Sequence, residues 1–218
     1  MPTDLATSDA AEVMAGDAHT CQRAAKRVID LLGSAVLIVL LCPLLLGLAC
    51  LVLLVDGAPV IYRRRVIGPR GEFDAYKFRT MIRDADAVLA ANANLNDAFT
   101  QQFKLRSDPR VTRIGAWLRK YSLDELPQLL NVLKGQMSLV GPRMITSAEL
   151  QKYVPYEALL LTVKPGITGH WQVEGRQEVS YAERVQMDIY YITNWSLWLD
   201  LKILLRTPSK IIRAQGAY

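Results

Sequence analysis

The sequence predicts an α+β protein, mostly helical. An N-terminal re-entrant membrane helix hairpin is joined to a cytoplasmic domain with a small β-hairpin and helices suited to a lipid interface. Three observations predict this class. The run Leu31–Val55 holds 25 residues without one charged side chain and has Pro43 at its middle. The segments Ala58–Tyr62 and Phe73–Phe78, rich in β-branched and aromatic residues, flank a turn at Ile67–Glu72. Beyond them, apolar residues such as Val111, Ile114 and Leu118 recur at helical spacing.

Composition sets the frame. In 218 residues, 51% are hydrophobic, high for a purely soluble domain, so a membrane element is sought. Cys21, Cys42 and Cys50 offer no disulfide framework, and two of them lie inside the most apolar run, which fits a reducing compartment. The net charge of +5 is uneven: Asp4, Asp9, Glu12 and Asp17 occupy a tail without Lys or Arg, whereas residues 201–218 carry four cations and no acid. A basic body suits nucleic acid, anionic lipid or phosphorylated substrates alike, and charge alone does not separate them. The expected organisation is an acidic, disordered tail over residues 1–22, a membrane anchor over 23–56 and a cytoplasmic domain over 57–218.

At about 1.5 Å per residue the apolar run makes roughly 38 Å of helix, enough to cross a hydrocarbon core of about 30 Å. Two features argue for re-entry instead. Pro43, after Cys42, breaks or kinks a helix, and basic residues stand on both flanks (Arg23, Lys26 and Arg27 before, Arg63–Arg65 after), so both ends favour the cytoplasmic face. Arg63, Arg64 and Arg65 are expected at the level of the lipid head groups, with a plainly solvated charge run as the lesser reading.

Residues 84–105 form a loosely amphipathic helical stretch ended by Asp108–Pro109. The following helix delivers Arg119 to the segment Arg119-Lys120-Tyr121-Ser122-Leu123-Asp124-Glu125-Leu126-Pro127-Gln128. Pro127 belongs in a first helical turn, which puts the adjacent carboxylates Asp124 and Glu125 at a helix start. Asp124 as an N-cap, a Ser122–Glu125 capping box, and an ionised carboxylate near Arg119 serving as nucleophile or metal ligand all remain open on these residues alone. Gly135 ends that helix, and Ser138–Arg143 is a strand-like run turning at Gly141–Pro142. Pro155, Pro165, Gly166, Gly169 and Gly175 make the next region loop-rich, with His170 read as structural. The stretch Tyr181–Arg213 combines Tyr190, Tyr191, Trp195 and Trp198 with scattered cations, equally suited to a core and to a lipid surface.

The segments Lys77-Phe78-Arg79-Thr80-Met81, Ser122–Gln128, Ser138–Arg143 and Lys164-Pro165-Gly166-Ile167-Thr168-Gly169 resemble, in order, the motifs of the bacterial sugar transferases, the monotopic phosphoglycosyl transferases. The resemblance spans about residues 26–213. It departs at Cys42, where the family usually has Ser before the kink proline, and at Met144, where a second proline is common. It implies transfer of a sugar-1-phosphate from an NDP-sugar, most often a UDP-sugar, to undecaprenyl phosphate with release of UMP. The first step of exopolysaccharide or other lipid-linked glycan synthesis would follow, at the cytoplasmic face of the bacterial inner membrane.

By the same resemblance Asp124 is the nucleophile of a phosphosugar-aspartyl intermediate and Glu125 its neighbouring acid/base. The two carboxylates would hold Mg²⁺, and Lys77, Arg79, Arg119, Arg143, Arg176 and Asp188 would contact the substrate or its phosphates. Membrane lipids are expected partners and nucleic acid is not; a homodimer is among the assemblies the sequence allows. The rival reading is a non-enzymatic, membrane-tethered basic binding module, which leaves Asp124–Glu125 amid the basic residues unexplained.

Overall fold

The computed structural model describes residues 3–92, 96, 105, 108–175 and 179–213, with side chains from Thr20 to Ile212. It begins with one long helix, α1 (Thr3–Val55), which takes in most of the stretch assigned to an acidic tail. The interruption expected at Cys42–Pro43 is a proline within a continuous helix. Packing on either side accounts for this: Ile38 and Leu41 lie against one apolar cluster, Leu45 and Ala49 against another, and these contacts hold the helix against the local cost of the missing amide.

Residues Asp30, Ser34, Ile38, Leu41, Leu45, Leu48 and Val52 form the covered stripe, spaced three or four apart. The other faces carry bare apolar side chains, Leu40 being 69% and Leu54 83% exposed. From Thr20 to Val55 the helix is long and apolar enough to cross a membrane, and only 11% of its most apolar window is buried, unlike the core helix of a soluble domain. Both ends of the apolar segment are pinned to one globular body. Arg27 donates to the carbonyls of Val132 and Leu133, and Asp30 accepts from Ser138 Oγ and Leu139 N–H. At the far end, Thr112 Oγ1 lies 2.8 Å from Asp56 Oδ2.

The hairpin is longer than expected. Strands β1 (Ile61–Gly68) and β2 (Gly71–Phe78) pair antiparallel from Ile61↔Phe78 to Gly68↔Gly71, with Gly71 at φ +95° closing the two-residue turn. The three arginines read as head-group contacts therefore lie on a strand: Arg64 pairs with buried Glu149, and Arg65 reaches Glu72 and Asp74. Helix α2 (Ala85–Ala90) is followed by α3 (Arg113–Lys120), capped by Thr112 Oγ1 on the Gly115 amide. A 3₁₀ turn, Leu123–Gln128, leads into α4 (Leu129–Leu133).

Strand β3 (Ser138–Val140) pairs in parallel with β4 (Gly166–Thr168), in a region that the sequence presents as loop. The pairing depends on close backbone approach: a Cβ on Gly166 would stand 2.1 Å from the Gly141 nitrogen. Short helices α5 (Glu157–Leu160) and α6 (His170–Glu174) flank β4. The final stretch is two helices, α7 (Tyr181–Thr193), started by a Ser180–Glu183 capping box, and α8 (Leu197–Arg213). The main core gathers Val66 and Phe73 of the hairpin, Val132, Met137, Val140, Tyr191 and Ile203, so the hairpin, α4, β3 and the last helices share one interior. Trp198 and Leu205 of α8 face outward.

Candidate functional site

The 3₁₀ turn fixes the two carboxylates because its other residues are apolar and anchored. Leu123 and Leu126 pack against Phe78, Leu118, Leu48 and Val52, while Pro127 and Gln128 are buried. Ser122 precedes the turn in the left-handed region, φ 54°, and its side chain caps nothing, so the capping box is not formed. Asp124 lies inside the turn rather than at its cap. Its buried carboxylate receives a bond only from its own backbone amide among the described residues.

Two cations reach this turn from neighbouring elements. Lys77 of β2 places Nζ 2.5 Å from Glu125 Oε1. Arg119, near the end of α3, donates Nε to Thr80 Oγ1 at 2.9 Å and acts on Asp124 through its charge. α3 approaches the Thr80 backbone so closely that a Cβ on Gly115 would lie 2.1 Å from the Thr80 carbonyl oxygen, which explains why Gly115 and the segment around Thr80 work as a unit.

Burial pushes the Asp124 carboxyl up to about 6; Lys77 opposes this, Glu125 adds to it and Arg119 opposes it in turn. Desolvation outweighs the neighbouring cations, and with a value of about 6 the acid is ionised at neutral pH. Glu125 moves the other way. Burial would raise it, but the charge and hydrogen bond of Lys77, assisted by Arg143 and Arg64, hold it below the usual carboxylate range. The pair is thus one carboxylate held ionised by Lys77, Glu125, beside one raised by burial, Asp124.

The other sequence-predicted residues divide. Arg143 belongs to the site electrostatically, since its charge reaches Glu125. Its backbone N–H points to the Asp188 carboxylate, 3.3 Å from each oxygen, and Tyr153 donates its hydroxyl to Asp188 Oδ2 at 2.7 Å. Asp188 is fully buried, with burial pushing it up to about 7, and it orients the Arg143 turn rather than facing a ligand. Arg79 is likewise turned away from the carboxylates: Nη2 lies 2.5 Å from the carbonyls of Asp56 and Gly57, tying down the end of α1. Arg176 lies outside the described residues. Cys42 and Pro43 sit in mid-helix, exposed, with no part in the site. His170 stacks on Tyr190, ring centroids 5.0 Å apart.

Sequence reasoning passed over four residues. Gln128 is fully buried with neither amide atom partnered, one helical turn beyond Asp124. Trp171 is buried with its Nε1 unpartnered, and the guanidinium carbons of Arg143 and Arg184 stand 5.1 and 5.0 Å from its ring centroid. Tyr153 supports Asp188. The four-residue spacing of Arg184 and Asp188 on one helical face was the available signal for Arg184.

For a divalent cation, Asp124 and Glu125 supply adjacent hard oxygens. Such a pair suits Mg²⁺, which keeps several waters and takes the rest of its shell from substrate phosphates. No group of three metal-binding side chains occurs among the described residues, so a cage built of protein ligands alone does not fit. Chemically, a desolvated carboxylate acted on by the charges of Lys77 and Arg119 is an arrangement suited to attack on a negatively charged phosphorus centre.

A family model described as bacterial sugar transferase matches residues 21–214. The chain is 45% identical over 206 residues to the undecaprenyl-phosphate galactose phosphotransferase of Salmonella typhimurium, covering 92% of this chain and 43% of that protein. It is 46% identical over 199 residues to the exopolysaccharide production protein ExoY of Rhizobium meliloti, covering 89% of this chain and 88% of that one. A third relative, the UDP-glucose:undecaprenyl-phosphate glucose-1-phosphate transferase of Caulobacter vibrioides, is 41% identical over 202 residues, 88% of this chain and 72% of its own. The chain thus spans less than half of the Salmonella protein and most of the other two.

Proposed function

The chain belongs to the bacterial sugar transferase family, and from that premise we propose that it is a phosphoglycosyl transferase. It moves a sugar-1-phosphate from an NDP-sugar, a UDP-sugar in the first instance, to undecaprenyl phosphate and so begins exopolysaccharide or other lipid-linked glycan synthesis. The observation that carries the reading is the Asp124 carboxylate: buried, bonded by no other described residue, and set among Lys77, Arg119 and the Glu125–Lys77 pair.

Asp124 attacks the sugar-bearing phosphorus of the donor. The P–O bond to the nucleotide breaks, UMP leaves with the bridging oxygen and its electron pair, and an acyl phosphate links Asp124 to the sugar. An oxygen of undecaprenyl phosphate then attacks the same phosphorus, the acyl-phosphate bond breaks, and the carboxylate is regenerated. Lys77 holds Glu125 ionised and in place, and Glu125 takes the proton of any group that must lose one. Arg119 and Arg143 contribute positive charge where the pyrophosphate must approach an anion. Asp124 and Glu125 would hold Mg²⁺, which supplies neutralisation of the phosphate oxygens when bound.

The same reading places α1 in the cytoplasmic leaflet of the inner membrane, bent at Pro43, with both ends of its apolar segment on the cytoplasmic face. Its support is that Asp30 and Asp56, at opposite ends of the segment, are tied to one body, with basic residues on both flanks. Labels near residues 20 and 60 are expected to be inaccessible from the periplasm, and labelling of either from outside would exclude this arrangement.

The deciding experiment incubates full-length protein with a panel of NDP-sugars, without and with undecaprenyl phosphate. With donor alone, UMP release should stop near one equivalent and a peptide containing Asp124 should gain the mass of a sugar phosphate. UMP that appears only with acceptor, and no trappable adduct, would replace the covalent route with direct transfer. No nucleotide from any donor would leave the membrane-tethered binding module standing.

A further inference from the structure

Beyond the carboxylates, one cluster is built and unused. Arg143, in the turn after β3, and Arg184 on α7 both lean on the buried indole of Trp171, and Arg184 also lies 4.6 Å from the Tyr181 ring centroid. Two guanidiniums on one aromatic ring repel each other, and stacking alone contributes only on the order of 1 kcal/mol each. A compensating anion is expected beside such a pair. Among the described residues neither arginine makes an ion pair, and the buried Nε atoms of both have no hydrogen-bond partner, nor does Trp171 Nε1. The buried Asp188 carboxylate acts on both guanidiniums through its charge, but its hydrogen bonds go to Tyr153 and the Arg143 amide and to neither guanidinium. The cluster is therefore a half-buried set of fixed donors without its acceptor. It is continuous with the site, because the charge of Arg143 reaches Glu125.

We propose that Arg184, with Arg143 and the Trp171 indole on which both guanidiniums rest, forms a subsite for the diphosphate of the nucleotide donor, with Arg184 a binding residue for the reaction. The inference rests on the reading given above and deepens it. A diphosphate presents two adjacent anionic groups, one for each guanidinium, whereas the acceptor carries a single phosphate. Stacking on Trp171 and Tyr181 fixes the plane of the Arg184 fork before ligand arrives, which lowers the entropy lost on binding.

The test uses full-length protein in detergent, UDP as a non-reacting probe, and Arg184→Met, which keeps the apolar stem against the rings and removes the charge. UDP affinity measured by calorimetry should fall about tenfold or more. The dependence of affinity on salt should become shallower, which a merely structural residue would not cause, and KM for the donor should rise more than kcat falls. If Arg184→Met does not fold, Arg184→Gln, with a planar group for stacking and no charge, is read in the same way.

UDP affinity within twofold of wild type overturns the inference, as does unchanged UDP affinity together with a raised KM for undecaprenyl phosphate, which would assign the cations to the acceptor. Either result leaves the proposed reaction intact, since wild-type turnover is measured alongside. Absence of nucleotide release by the wild type instead sinks the reaction itself.

Discussion

Asp124 and Asp200 are both almost fully buried, 7% and 6% exposed, and their surroundings could hardly differ more. Asp200 of α8 accepts from Lys26 Nζ at 2.6 Å, from the Tyr191 hydroxyl at 2.7 Å and from Trp195 Nε1 at 3.2 Å. The carboxylate has three donors, and the result is a clasp between Lys26, within α1, and the last two helices. Asp124 has the same carboxylate and similar burial, but its cations stand nearby without bonding it, and burial lifts it to about 6. Satisfied buried charge is architecture; buried charge left short of partners is a cost the fold carries for chemistry.

The largest expected effect breaks this comparison at the chemical end. Asp124→Asn keeps shape and size while removing the nucleophile, so nucleotide release from the donor should fall at least about a thousandfold and the adduct should vanish. Thermal unfolding should not move downward. Near-wild-type turnover by this variant would remove Asp124 from the mechanism.

At the other end, Asp200→Ala strands Lys26, whose remaining partner is the Val140 carbonyl, and leaves the Tyr191 hydroxyl with that same carbonyl at 3.2 Å. Removing one member of a buried pair costs on the order of 3 kcal/mol, and the unfolding midpoint should fall by about 10 °C. Turnover per folded molecule should persist. A variant as stable as wild type would show that the clasp is not what joins α1 to the last helices.

The comparison also marks what the sequence could disclose. Lys77, Asp124, Glu125 and Arg143 stand in short, distinctive segments, and the fold does bring Lys77 onto Glu125 and the charge of Arg143 within reach of it. The clasp was illegible, because Lys26 and Asp200 are 174 residues apart and each reads locally as an ordinary helix-surface charge. β4 was read as loop since a three-residue parallel strand carries no alternation and its glycines signal turns; only the close approach of Gly141 and Gly166 explains them. Arg79 sits in a motif beside Lys77, yet the last carbonyls of a helix claim its Nη2. Pro43 lies within one helix for a related reason: local propensity predicts a stop there, and packing on both sides carries the helix through it.

A smaller effect sharpens the electrostatics. Activity should climb with pH through about 6 as Asp124 loses its proton and level off near neutrality. Glu125→Gln removes a neighbour that raises Asp124 and releases Lys77 to favour the ionised form, so the acid limb should shift to lower pH while overall turnover slows. A limb that stays in place would mean that Glu125 does not act on Asp124 electrostatically.

The last effect concerns stability, and it sets the two aspartates against each other through linkage. Asp124 has a folded value near 6, above the ordinary 3.8 of the unfolded chain. A carboxyl raised in this way is protonated in both states below pH 4 and imposes nothing there. Between about 4 and 6 the unfolded chain ionises first, so the folded state loses ground as pH rises, and the penalty is complete above about 6. Asp124→Asn has no such penalty. The stability of Asp124→Asn relative to wild type should therefore be small near pH 4, grow through pH 5 and reach a plateau favouring the variant above pH 6. Asp200→Ala should be less stable than wild type across the neutral range, with no gain of that form. The measurement is the unfolding midpoint of the three proteins at matched pH in one detergent. If Asp124→Asn is less stable than wild type at pH 7, then Asp124 is a satisfied structural carboxylate after all, and its likeness to Asp200 is deeper than its surroundings suggest.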